Sequence, residues 1–175
     1  MIKVSIANRQ EVLPVDIGRL RRVLRALLGD HGIHRGTLGV AIVDDETIAH
    51  LHARWLDDPE PTDVLSFPLG SGPGMLDGEV IASAETAIAA SEQYGLAPAD
   101  ELLLYVIHGT LHLLGYDDRR YGERARMRHA ERVAMRQAGI DMPHAPERPA
   151  VRARGRNKSP GRGTRQRRRG RIEGS

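Results

Sequence analysis

The composition changes abruptly near Pro143, and that break sets how much of the 175-residue chain can build a core. Beyond it Pro, Gly, Arg and Ser dominate, and Val151 and Ile172 are the only large aliphatic residues. Such a segment cannot bury enough apolar area to offset the entropy of ordering it. The expectation is one folded domain over residues 1–142 and a disordered, Arg-rich basic tail over 143–175. Charge divides in the same way. Residues 146–175 hold eleven basic and two acidic side chains, net +9, whereas residues 1–145 hold fifteen basic and twenty-one acidic ones, net −6. The tail has no aromatic ring to stack on a base, so Arg154, Arg156, Arg165, Arg167, Arg168 and Arg169 suit phosphate contacts that read no sequence.

Within the first part, Ile2, Val4 and Ile6 alternate with polar partners as in a strand with one buried face. Asp16 offers a cap for a helix whose Ile17, Leu20, Val23, Leu24, Leu27 and Leu28 recur at three- and four-residue spacing until Gly29 and Gly32. Leu38 to Val43 has strand length, and Asp44 or Asp45 can cap a helix carrying Ile48, Leu51 and Trp55. Val64 to Phe67 and Val80 to Ala82 read as strands around a glycine-rich connection at 70–78. Ser83 opens a helix ending near Gly95, and Pro98 opens the most apolar segment, Leu102 to Leu114, which Gly115 terminates. A last amphipathic helix spans about 120–138, with Tyr121, Ala125, Met127, Ala130, Val133 and Ala134 as its less polar positions. Strands mixed with helices in one small domain imply an α+β, sandwich-like architecture in which a small central mixed sheet is flanked by helices. No stretch is apolar enough to span a membrane, and the alternating N-terminus does not resemble a secretory leader, so the expected location is cytoplasmic.

With no cysteine in the chain, a metal site must use His, Asp or Glu. The apolar segment carries His108 and His112, one helical turn apart on one face, where two imidazoles can share an ion. Gly115 lets the chain turn back, so that an acid six residues after His112 can complete the set. Asp118 is that third candidate; Asp117 or water is the alternative. The spacing matches the zinc helix and glycine turn of metzincin-type proteases except that Gly109 stands in place of the catalytic Glu and Asp118 in place of the third His. Loss of that Glu argues against peptide hydrolysis more than against phosphodiester hydrolysis. The remaining histidines, His31, His34, His50, His52, His129 and His144, lack ligand-like neighbours and read as surface residues. Asp44-Asp45-Glu46 reads as helix capping.

The segment His108-Gly-Thr-Leu-His112-Leu-Leu-Gly-Tyr-Asp-Asp118 resembles the signature of the YbeY family of metal-dependent bacterial endoribonucleases, and Pro61-Thr62-Asp63-Val64-Leu65-Ser66-Phe67-Pro68 resembles that family's second block. Gly78-Glu79 sits where the family has Gly-Asp. The resemblance covers roughly residues 35–135. It implies a single-strand-specific hydrolase that matures the 3′ end of 16S ribosomal RNA and serves ribosome quality control, with ribosomal RNA and the small ribosomal subunit as partners. It also implies one Zn²⁺ or other divalent ion per chain on His108, His112 and Asp118. Two departures stand out: the third ligand is Asp118 instead of His, and the family's catalytic arginine falls at Leu56. Arg54 is the nearby candidate to replace it, with an ordinary surface arginine as the alternative reading. Asp117 is a candidate proton acceptor, or else a group that orients a ligand or caps the turn. Thr62 and Ser66 are read as the floor of an RNA groove, or alternatively as part of an edge strand with a capped turn. Two rival functions remain open, a metallopeptidase with a metzincin-like motif and a non-catalytic ribosome-assembly factor that keeps the metal as a clip.

Overall fold

The sheet is built from strands that the sequence spaces unevenly. β1 (Lys3–Asn8) leads through helix α1 (Ile17–Asp30) to β2 (Arg35–Val43); α2 (Asp45–Leu56), the hairpin β3 (Val64–Gly72) and β4 (Met75–Ser83), and helices α3 (Ala84–Tyr94), α4 (Pro98–Leu113) and α5 (Tyr121–Gln137) follow. This computed structural model describes residues 1–56 and 62–143, so His144, the six tail arginines singled out above and the rest of the expected basic tail from 144 to 175 lie outside the described residues. The strand order is β1-β2-β4-β3, with β1, β2 and β4 parallel and β3 antiparallel on the edge. The architecture is therefore α+β with a mixed four-stranded sheet.

The two faces of the sheet are buried unequally. Val4, Leu38, Val40, Ile42, Leu76, Val80 and Ala82 pack with α1 and α4 into the main core, while Val43, Ile48 and Leu65 form a smaller cluster on the α2 side. Local signals explain the helix starts: Asp16 accepts from the Arg19 amide at 2.8 Å, Asp44 from the Thr47 amide at 2.7 Å, and Ser83 from the Thr86 amide at 3.1 Å. The hairpin differs from expectation. The glycine-rich residues 70–78 are mostly strand, because Gly70, Ser71 and Gly72 pair across with Asp77, Leu76 and Met75 after a register shift between Pro68 and Gly70. Cross-strand pairing outweighs the low strand propensity of glycine there, and only Pro73 and Gly74, the latter at φ +65°, make the turn.

α4 is the pivot of the fold. Every residue from Glu101 to Leu111 is buried, as its nearly unbroken apolar sequence requires. Its close approach to the sheet depends on two glycines. A Cβ on Gly109 would lie 2.7 Å from the Val80 Cγ1 and 2.9 Å from the Ser66 Oγ, and one on Gly78 would lie 2.8 Å from the Leu113 Cδ1.

Candidate metal centre

The C-terminal end of α4 presents His108 and His112 from successive turns, and the turn beyond it returns through Gly115 at φ +94° to bring in Asp118. Their donor atoms converge. The two Nε2 atoms are 3.0 Å apart, and Asp118 Oδ2 lies 3.8 Å from that of His108 and 3.9 Å from that of His112. A tetrahedral ion about 2.1 Å from each donor would hold its ligands about 3.4 Å apart, a spacing that this triangle brackets. Two imidazoles and a carboxylate are a donor set suited to a divalent ion, and the negative end of the α4 dipole favours a cation at this terminus.

The electrostatics keep the His112 imidazole ready. Burial, then the neighbouring His108, pushes the His112 pKa below its ordinary value, against the opposing pull of Asp118. His112 is thus neutral near pH 7, the form that ligates. Behind His108 stands Glu131 of α5, its Oε1 2.5 Å from Nδ1. The carboxylate accepts the Nδ1 proton and leaves Nε2 as the lone-pair nitrogen facing the other two donors.

Sequence reading missed Glu131. Of the less polar positions expected on its helix, Met127 and Ala134 are buried, and Glu131 and Met135 are buried with them. Tyr121 and Val133 are exposed. An acid at Met127 + 4, in register with Ala134 and Met135, was the available signal: a carboxylate on a buried stripe needs a partner.

The other candidates fare differently. Asp117 has its carboxylate held by the amides of Asp118 at 2.7 Å and Arg119 at 3.1 Å. Slight burial raises its pKa, but those two amides, Arg119 and His112 outweigh it and leave the group below the usual carboxylate range. That makes Asp117 a turn cap and a weak base, which supports the capping reading over the proton-acceptor one. Ser66 and Thr62 are both buried; Ser66 donates to the Gly109 carbonyl at 2.9 Å and Thr62 to the Val64 carbonyl at 3.2 Å. Neither hydroxyl forms an open groove floor. Both instead brace the edge strand, and Ser66 clamps it to α4. Arg54 is exposed on the last turn of α2, its guanidinium carbon 5.8 Å from the centroid of the Trp55 ring, which in turn meets Phe67 edge-on. It is not one of the groups that converge with the three donors. Among the histidines read as surface, His52 is buried at 1% exposure, and His31 is bonded to Leu27 and Tyr116.

Residues 5–139, which include all three donors and Glu131, match the family described as Endoribonuclease YbeY. The chain belongs to the endoribonuclease YbeY family. Among its relatives, the Endoribonuclease YbeY of Rhodopirellula baltica is 49% identical over 114 residues, covering 64% of this chain and 59% of that protein. The chain thus spans less than two thirds of that relative's length. The Endoribonuclease YbeY of Geobacter sulfurreducens is 40% identical over 128 residues, 70% of this chain and 85% of that one. The solution structure of TM1509 from Thermotoga maritima has the same fold, with a TM-score of 0.53 at 24% identity over 79% of this chain and 89% of that one. No described helix is long and apolar enough to cross a membrane.

Proposed function

We propose that this YbeY chain is a metal-dependent endoribonuclease that cleaves single-stranded ribosomal RNA of the small subunit, near the 16S 3′ end, in the cytoplasm. The reading rests on one observation above the others: three donor atoms within 4.8 Å of one another, from His108, His112 and Asp118, on a chain of an endoribonuclease family. A bound Zn²⁺ or similar ion would supply Lewis acidity, easing deprotonation of water and drawing charge from a phosphoryl oxygen. The chain's own residues do the rest. Glu131 holds the Nδ1 proton of His108, burial keeps His112 neutral, and Asp118 offsets one unit of the ion's charge. Arg54 is the proposed partner for developing charge on the phosphate, and residues 143–175, a separate Arg-rich segment carrying Arg154, Arg156, Arg165, Arg167, Arg168 and Arg169, add phosphate contacts.

The metallopeptidase alternative loses support at Gly109. A general-base Glu there would be driven into Val64, Ser66 and Val80, so the position serves packing. Metal analysis of the purified chain, coupled to cleavage assays on single-stranded RNA, duplex RNA and a peptide library, tests the reading. Metal-dependent cleavage of single-stranded RNA, lost in His112→Ala, is the expected result. Peptide cleavage would restore the peptidase reading, and stoichiometric metal without any hydrolysis would favour the assembly factor.

A further inference from the structure

The basic side chains of the folded part are not spread evenly. α1 and α5 together carry nine arginines against three acids, Asp30, Glu123 and Glu131. The other residues up to 145 carry six basic and eighteen acidic side chains. Two helices are therefore net +6 on a body whose remainder is −12. Glu131, moreover, is turned inward to His108, which leaves the outer surface of α5 more cationic than its composition. Arg22, Arg25, Arg126, Arg132 and Arg136 are exposed.

Between these helices lies a cleft of about 540 Å³, within the range of about 300–1,000 Å³ typical of small-molecule sites. Its lining includes Leu27, Tyr116, Ala130, Val133 and Ala134, with the exposed Arg126 and His129 beside them and Asp30 accepting from Gln137 at 3.0 Å between the two helices. His31 sets the Tyr116 wall. Its Nδ1 is 2.8 Å from the Leu27 carbonyl, which can only accept, so Nε2 is the lone-pair nitrogen and receives the Tyr116 hydroxyl at 3.0 Å. Tyr116 stands two residues before Asp118 in the same turn. α5 likewise faces both ways, with Glu131 toward the metal centre and Ala130, Val133 and Ala134 toward the cleft.

We propose that the α1–α5 face binds a single strand of RNA, its phosphates along the exposed arginines and one base in the cleft beside Tyr116. A largely apolar slot with an aromatic wall suits the π face of a base, and exposed guanidinium groups suit phosphates. The acidic remainder of the body repels the same strand. The inference rests on the endoribonuclease reading and adds the surface on which substrate lies.

The test uses full-length, metal-loaded protein and a nuclease-resistant 2′-O-methyl single strand, followed by fluorescence anisotropy at several salt concentrations. Arg126→Gln/Arg132→Gln/Arg136→Gln should flatten the dependence of log K on log salt by about 2, since each lost phosphate contact on a single strand is worth about 0.7. Val133→Trp, which fills the cleft, should weaken binding about tenfold at unchanged salt slope, the scale of one lost stacking contact. Circular dichroism and metal content should match the parent in both variants. Parallel salt slopes for parent and triple variant, or unchanged affinity in Val133→Trp, overturns the proposal. So does a triple variant that loses binding to polyglutamate but not to RNA, which would assign the face to an acidic protein. Failure of the parent to cleave any RNA, with both binding effects present, would sink the endoribonuclease reading and leave this surface standing.

Discussion

α4 and α5 both build the candidate metal centre, yet they expose their chemistry to opposite degrees. α4 is apolar nearly throughout, so His108 and His112 stand out against it, and their spacing alone implies a shared ligand. α5 is crowded with charge, and Glu131 is one of two acids among five arginines, indistinguishable by composition from a solvated residue. What separates Glu131 from Glu123 is helical phase relative to Met127, Ala134 and Met135. Chemistry in an apolar helix can be read from residue type, whereas chemistry in a charged helix can be read only from which face is buried.

The largest expected effect falls on α4. His108→Ala/His112→Ala should reduce bound metal from one equivalent to essentially none by elemental analysis, with two of three donors removed. Stoichiometric metal in that variant would show that the ion sits elsewhere. On α5, Glu131→Ala should weaken metal binding about 10- to 100-fold in chelator competition, the usual cost of losing a carboxylate behind a ligating histidine. Glu131→Gln, which keeps an acceptor for the Nδ1 proton, should lose less. Equal affinities across the parent and both variants would make Glu131 a packing residue and break the comparison.

How far the rest could be read from sequence follows the same logic. Helix caps at Asp16, Asp44 and Ser83, the run 102–114 and the His-His-Asp spacing rest on local chemistry, and the structure places them as expected. The hairpin's length and the roles of Thr62 and Ser66 depend on partners distant in the chain. Nothing near Ser66 indicates that its hydroxyl reaches the carbonyl of Gly109, forty-three positions away. Gly109 was similarly opaque. Beside two histidines it reads as a missing catalytic acid, while in the fold it is the point where a helix touches a sheet.

That contact supplies a smaller effect. Gly109→Ala should destabilise the chain by about 1–3 kcal/mol in urea denaturation, from overpacking against Val80 and Ser66, with one equivalent of metal still bound. No change in stability would show that α4 and the edge strand can separate at little cost. The smallest effect is on pH. The His112 pKa is lower in the fold than the ordinary value of 6.5, so between those two values the unfolded chain binds more protons than the folded one. Stability of the metal-free protein should therefore fall as pH drops from about 6.5 through the depressed value, and His112→Asn should flatten that slope. The carboxylate of Asp117, also lowered, acts in a separate window, from its ordinary 3.8 downward. A melting temperature independent of pH across the histidine window would deny the desolvation of His112.

The hydrogen bond between His108 and Glu131 also joins two parts of the molecule that should open at different rates. α4, buried from Glu101 to Leu111, belongs to the last unit to release its amides to solvent exchange, whereas α5, with four buried residues, should open locally at lower free energy. Because opening of α5 withdraws Glu131 from a ligand, metal should slow amide exchange in α5 well before it alters α4, and the charged helix would record occupancy of a site whose ligands it does not itself carry.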